Sequence, residues 1–125
     1  MDIEQRKYVR FSVQGNTFAA LNGFDKVGKV NDISEKGMAF SYIIESIKAG
    51  LDKVFSEVDI FLLGNSFYLP KVLCKIVYDI IEPESNKNES IIKRRCGLHF
   101  DKLSKNQSEL LELFLKSYTT RLLPA

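Results

Sequence analysis

The chain has 125 residues, 45% of them hydrophobic and 27% charged, with 18 Lys and Arg against 16 Asp and Glu. That is one domain's worth of chain, able to bury roughly two thirds of its unfolded surface, and the apolar fraction with balanced charge excludes a disordered chain. The net charge of +2 does not point to a general polyanion binder, so any anion site must be local.

Residues 1–7 are polar and charged apart from Met1 and Ile3 and read as an arm leading into the fold. They lack the basic stretch and apolar run of a signal peptide. Tyr8–Val13 and Thr17–Leu21 are β-type runs separated by Gly15-Asn16, a pattern that predicts a hairpin. Residues 28–33 and 38–43 flank a polar turn ending at Gly37. Within Ile44–Val54, Ile47 and Leu51 stand at helical spacing but Gly50 interrupts, which predicts a short helix or a loop. Val58–Leu63 returns to strand. In Phe67–Ile80 the residues Val72, Cys74, Ile76, Tyr78 and Ile80 share one face, opposite Lys71, Lys75 and Asp79. Period two with β-branched residues predicts a strand, bent near Pro70.

Glu82–Ser90 is polar throughout and reads as a loop. Ile91–Phe100 reads as the last strand, with Cys96, Leu98 and Phe100 on one face and Arg95, Gly97 and His99 on the other. Lys93, Arg94 and Arg95 form a basic run whose default reading is an exposed strand face; the sharper one is an anion or partner surface. The period then changes. Ser104 and Gln107 have capping-box spacing, and Leu110, Leu111, Phe114, Tyr118 and Leu122 make one apolar stripe, a helix over about 104–122 ended by Pro124. Strands followed by one helix predict a mainly β fold: a small antiparallel barrel of six or seven strands with a C-terminal helix packed on it. Residues 8–125 make the single domain.

Enzyme chemistry finds little support. Acyl-transfer and metal sites recruit His, Cys or clustered carboxylates, whereas His99 is the one histidine and Cys74 and Cys96 sit apart in apolar stretches. They read as buried thiols in a reducing cytoplasm. No phosphate loop of the Gly-x-x-x-x-Gly-Lys type occurs. The apolar runs are too short to span a membrane. The expectation is a non-enzymatic, cytoplasmic chain without cofactor or metal.

Two short motifs carry more information. Arg6 and Arg10 are separated by three residues as the arm enters the first strand, and Asp32, Ser34 and Gly37 form Asp-x-Ser-x-x-Gly at a strand-to-turn junction. Taken alone, the first is a solvated edge. The second is an ordinary turn, with Asp and Ser bonding the local backbone and Gly taking a positive φ. Together and in this order they resemble the PilZ family, whose members carry Arg-x-x-x-Arg followed by Asp/Asn-x-Ser-x-x-Gly. Gly37-Met38-Ala39-Phe40 resembles the family's strand after the second motif, and Cys96-Gly97-Leu98-His99-Phe100 its Gly-x-x-Phe strand before the terminal helix. Gln5 departs from the pattern, standing where many members carry Arg or Lys; that position bears on whether a second, stacked ligand is held.

The resemblance implies a split-barrel fold and a bacterial receptor for cyclic di-GMP, bound by Arg6, Arg10, Asp32, Ser34 and Gly37. It also implies an arm that folds over the ligand and a protein partner that reads the change. Arginine suits such a ligand, since its planar guanidinium bridges a phosphate bidentately or stacks on a guanine, while a carboxylate accepts from the donor edge of guanine. Ser34 reaches the ligand from Asp32's face if the strand stays extended that far, and Gly37 sets the turn. Two rival readings stand beside this one: a protein-interaction module with the same fold and little nucleotide affinity, and a small-barrel oligonucleotide binder. The modest charge disfavours the second, and nucleic acid is not the expected partner.

Overall fold

The computed structural model describes residues 9–22, 25–44, 54–82 and 91–121. In chain order these form β1 (Phe11–Val13), β2 (Thr17–Leu21), β3 (Lys26–Ile33), β4 (Gly37–Ile44), β5 (Phe55–Leu62), β6 (Tyr68–Ile81), β7 (Ile92–Phe100), α1 (Lys105–Ser117) and β8 (Thr119–Arg121). Six strands close into an antiparallel barrel in the order β2-β5-β6-β7-β4-β3, with β3 returning to β2, and β1 and β8 are added beside β3. The predicted mainly β barrel with a C-terminal helix is the observed architecture. The arm, most of the Ile44–Val54 segment and most of the Glu82–Ser90 loop lie outside the described residues.

The barrel follows from alternation. Thr17, Ala19 and Leu21 of β2, Val58, Ile60 and Leu62 of β5, and Phe40 and Tyr42 of β4 point inward and are buried, as period-two strands with one dry face require. Cys74 and Cys96 lie in this interior as free thiols, as expected. Burial pushes both thiols up to about 12. Helix α1 starts at the predicted capping box: the Ser104 hydroxyl accepts from the Gln107 amide, and the Gln107 side chain accepts from the Ser104 amide. The helix lays Leu111 and Phe114 on the barrel, with Phe114 4.9 Å from Phe67 between ring centroids.

Several expectations change. β1 and β2 do not pair as a hairpin. β1 lies against Asp32 and Ile33, and β2 against Lys26–Lys29, so the two run in line along one edge of β3. The turn closed by Thr17 N–H to the Gln14 carbonyl (3.0 Å) offsets one from the other without reversing the chain. The helix stops at Ser117, short of the predicted span, because Thr119 and Thr120 are β-branched and continue as β8 against β1. Leu122 lies outside the described residues.

The bend in β6 is present. Pro70 and Lys71 face the single residue Asp59, whose carboxylate accepts from the Lys71 amide at 2.9 Å, and Lys71 has φ of 52°. A second bulge, between Ile76 and Tyr78, reverses the alternation. Ile80 is therefore turned out, and Ile81 packs on the core instead.

Candidate functional site

The register brings one row of residues to the outer face of the sheet. Ser12, Asp32, Ala39, Gly97 and Tyr78 are successive Cα partners across β1, β3, β4, β7 and β6. Its middle is almost free of side chain, because Ala39 and Gly97 offer one methyl between them. Neighbouring strands lie about 4.8 Å apart, so β3 and β7 are about 10 Å apart across β4. Long side chains reach each other over this low floor.

Asp32 is the point where they meet. Arg10, just before β1, donates from Nε to Asp32 Oδ1 at 3.0 Å, and its Nη2 donates to the same oxygen. Arg95 of β7 donates from Nη2 to Asp32 Oδ2 at 3.2 Å. Both carboxylate oxygens are thus held by guanidinium groups, one from each side. The carboxylate is 14% exposed and the two arginines 28% and 33%, so the cluster is half-buried and reaches solvent on its outer side.

Arg95 is itself held. Its Nε donates to the Tyr78 hydroxyl at 3.2 Å. That hydrogen bond first, with smaller contributions that include Asp32's charge, raises its pKa above the ordinary arginine value against the opposing effect of burial. The Tyr78 ring lies across Gly97, where a Cβ would stand 2.2 Å from ring carbon Cε2. Beside the row, the Ser41 hydroxyl lies 2.6 Å from Glu82 Oε1 and 3.1 Å from Asn31 Oδ1.

The second motif's other two residues build the turn between β3 and β4. β3 ends at Ile33, so Ser34 leaves the strand. Its hydroxyl accepts from the amides of Lys36 (3.1 Å) and Gly37 (3.2 Å), and its amide donates to the Gly37 carbonyl at 2.8 Å. Gly37 does not adopt the positive φ expected of it; Gly64 is the glycine that does so among the described residues. The reason for glycine at 37 is close approach: a Cβ there would stand 2.3 Å from the Leu98 carbonyl oxygen on β7. Arg6 lies outside the described residues.

The basic run Lys93–Arg95 is not a uniformly solvated face. Arg94 points to the barrel interior, where Nε meets Asp79 Oδ1 at 3.1 Å and Nη2 donates to the Asp79 carbonyl at 2.7 Å. The buried Tyr42 hydroxyl donates to the same carboxylate at 2.9 Å. Burial, and then the bond to Asp79, push the Tyr42 phenol above its ordinary value of 10. Arg95 and Tyr78 are the residues that motif reading missed. Their one sequence signal is parity, which places Arg95 on the face of Gly97. Among the described residues no group of three or more His, Cys, Asp or Glu is placed to hold a metal ion, and no helix is long and apolar enough to cross a membrane.

A family model of the PilZ domain matches residues 4–117. By structure the chain is similar to the PilZ domain with c-di-GMP of YcgR from Escherichia coli, with a TM-score of 0.68, 14% sequence identity and 92% of each chain covered. Among curated proteins none matches by sequence. The structural likeness gives the fold, and the family match spans both motifs, the barrel and the helix. The chain belongs to the PilZ domain family.

Proposed function

We propose that this chain is a non-enzymatic receptor for cyclic di-GMP and that the Asp32 cluster is its binding site. The observation that carries the reading is the carboxylate of Asp32 held between Arg10 and Arg95 above the bare floor of Ala39 and Gly97. The ligand presents anionic phosphates, guanine faces and a guanine donor edge, and the cluster offers the complement of each. A guanine edge donates to Asp32. Arg10, released from the carboxylate, turns to a phosphate or stacks on a base. Arg6 adds a second guanidinium from the arm. Ser34 and Gly37 hold the turn next to Asp32, the Ser34 hydroxyl being taken up by the amides of Lys36 and Gly37.

The magnitudes suffice. A micromolar complex needs about −8.2 kcal/mol. Hydrogen bonds to charged groups contribute about 1.5–3 kcal/mol each, and breaking the half-exposed Arg10–Asp32 pair costs about 1 kcal/mol. Two arginines and one carboxylate supply about 4.5–9 kcal/mol, and stacking of about 1–3 kcal/mol per base brings the sum to the requirement before the arm is ordered.

The site lies at the root of residues 1–7, so binding fixes the arm against the barrel and changes the surface a protein partner meets, an order–disorder switch. The chain then works as one barrel domain with a signalling arm in a bacterial cytoplasm. Calorimetric titration tests the reading. Cyclic di-GMP is expected to bind at micromolar concentration or tighter, with GMP and cyclic AMP far weaker. Absence of heat well above that range contradicts it and favours an interaction module.

A further inference from the structure

Arg95 has to reach across β4 to touch Asp32, and an arginine carries many rotamers, so something must select the one observed. Tyr78 does this in two ways. Its ring lies on Gly97 and fills the floor beside the guanidinium, and its hydroxyl accepts from Arg95 Nε. With Nε taken, Nη2 is left to face Asp32 Oδ2. The position of Tyr78 depends on two features of the chain. The bulge between Ile76 and Tyr78 sets it opposite Gly97, and the missing Cβ at Gly97 lets the ring lie flat.

We propose that Tyr78 is a positioning residue for the nucleotide site. Lying across Gly97, it sets Arg95 on one oxygen of Asp32, so that the carboxylate keeps its orientation when Arg10 leaves the other oxygen for the ligand. The inference rests on the nucleotide reading. Without Tyr78 the carboxylate has one guanidinium fewer to fix it, and the guanine edge meets an acceptor free to rotate. The Tyr78 hydroxyl is bonded to Arg95, and through that bond it acts on Asp32.

The test is a double-mutant cycle with cyclic di-GMP titrated into the wild-type chain, Tyr78→Phe, Arg95→Ala and the double variant. Tyr78→Phe keeps the ring on Gly97 and removes one hydroxyl. It is expected to weaken binding about three- to tenfold, the scale of one half-exposed hydrogen bond to a charged group, with an unchanged melting temperature. In the Arg95→Ala background the same substitution is expected to cost nothing further. A ligand-free readout accompanies it: the Arg95 Nε–H nitrogen-15 NMR signal is protected from solvent exchange in the wild-type chain and loses protection in Tyr78→Phe. Gly97→Ala, which forces the ring off the floor, is expected to weaken binding more than Tyr78→Phe does. A wild-type chain that binds while Tyr78→Phe binds equally well overturns the inference alone. An equal loss in both backgrounds also overturns it. A wild-type chain that does not bind overturns the nucleotide reading and the inference with it.

Discussion

Replacing Asp32 by alanine removes the acceptor shared by two arginines, and the consequence for stability is calculable. A fully shielded hydrogen bond to a charged group nets about 1.5–3 kcal/mol. Here the arginines are 28% and 33% exposed, so solvent screening brings each ion pair down to about 1 kcal/mol. Both pairs are lost at once, and Arg10 and Arg95 then face each other without a counter-charge, which adds about 0.5–1 kcal/mol of repulsion in a partly hydrated site. The total is about 2.5–3 kcal/mol. In a domain of this size 1 kcal/mol moves the melting temperature by roughly 3–6 °C, so Asp32→Ala is expected to melt roughly 8–18 °C lower. Arg10→Ala leaves Asp32 with Arg95 and is expected to lose only about 1 kcal/mol. Thermal melts followed by circular dichroism at low and molar salt give the comparison, and the gap between the two variants narrows at high salt. If Asp32→Ala melts no lower than Arg10→Ala, the carboxylate is not the shared partner of both arginines.

Gly37→Ala places a methyl against the Leu98 backbone oxygen at 2.3 Å, so β4 and β7 must separate; a loss of about 2–3 kcal/mol in chemical denaturation is expected, and wild-type stability would remove the close-approach explanation. Alkaline titration probes the interior. The folded pKa values of Cys74 and Cys96 lie near 12 and that of Tyr42 is raised too, so the unfolded chain releases these protons first. Stability is therefore full below about pH 8.5, the unfolded thiol value, and falls as pH rises from there toward 12; a flat denaturation midpoint over that window contradicts this. Hydrogen exchange in residues 1–7 is expected to slow when cyclic di-GMP is added, and equal exchange in both states would remove the arm from the switch while leaving binding intact.

The alternation in β2, β5 and β7 and the Ser104–Gln107 box were readable because each rests on neighbours a few residues apart. So were the two motifs, whose order and spacing carry the family resemblance. What escaped is register. Asp32, Ala39, Gly97 and Tyr78 become one row only when β3, β4, β7 and β6 are aligned, and the bulge at Val77 that aligns Tyr78 leaves no local mark in an apolar run. For the same reason Lys93–Arg95 read as one basic surface, although strand parity sends Arg94 to Asp79 inside the barrel and Arg95 to Asp32 outside. The positive φ assigned to Gly37 failed because an absent Cβ permits either an unusual dihedral or a close neighbour, and the neighbour is 61 residues away in sequence. The short β8 was hidden behind a helical stripe that Tyr118 and Leu122 extend past the point where two threonines turn the chain to strand.

A nitrogen-15 NMR titration with cyclic di-GMP locates the proposed site residue by residue. Saturable shifts are expected for the amides around Arg10, Asp32, Ala39, Arg95 and Gly97, the residues that meet on the outer face of β1, β3, β4 and β7. Saturable shifts confined to α1 or to β2 and β5, with the Asp32 row unmoved, would contradict the proposed site.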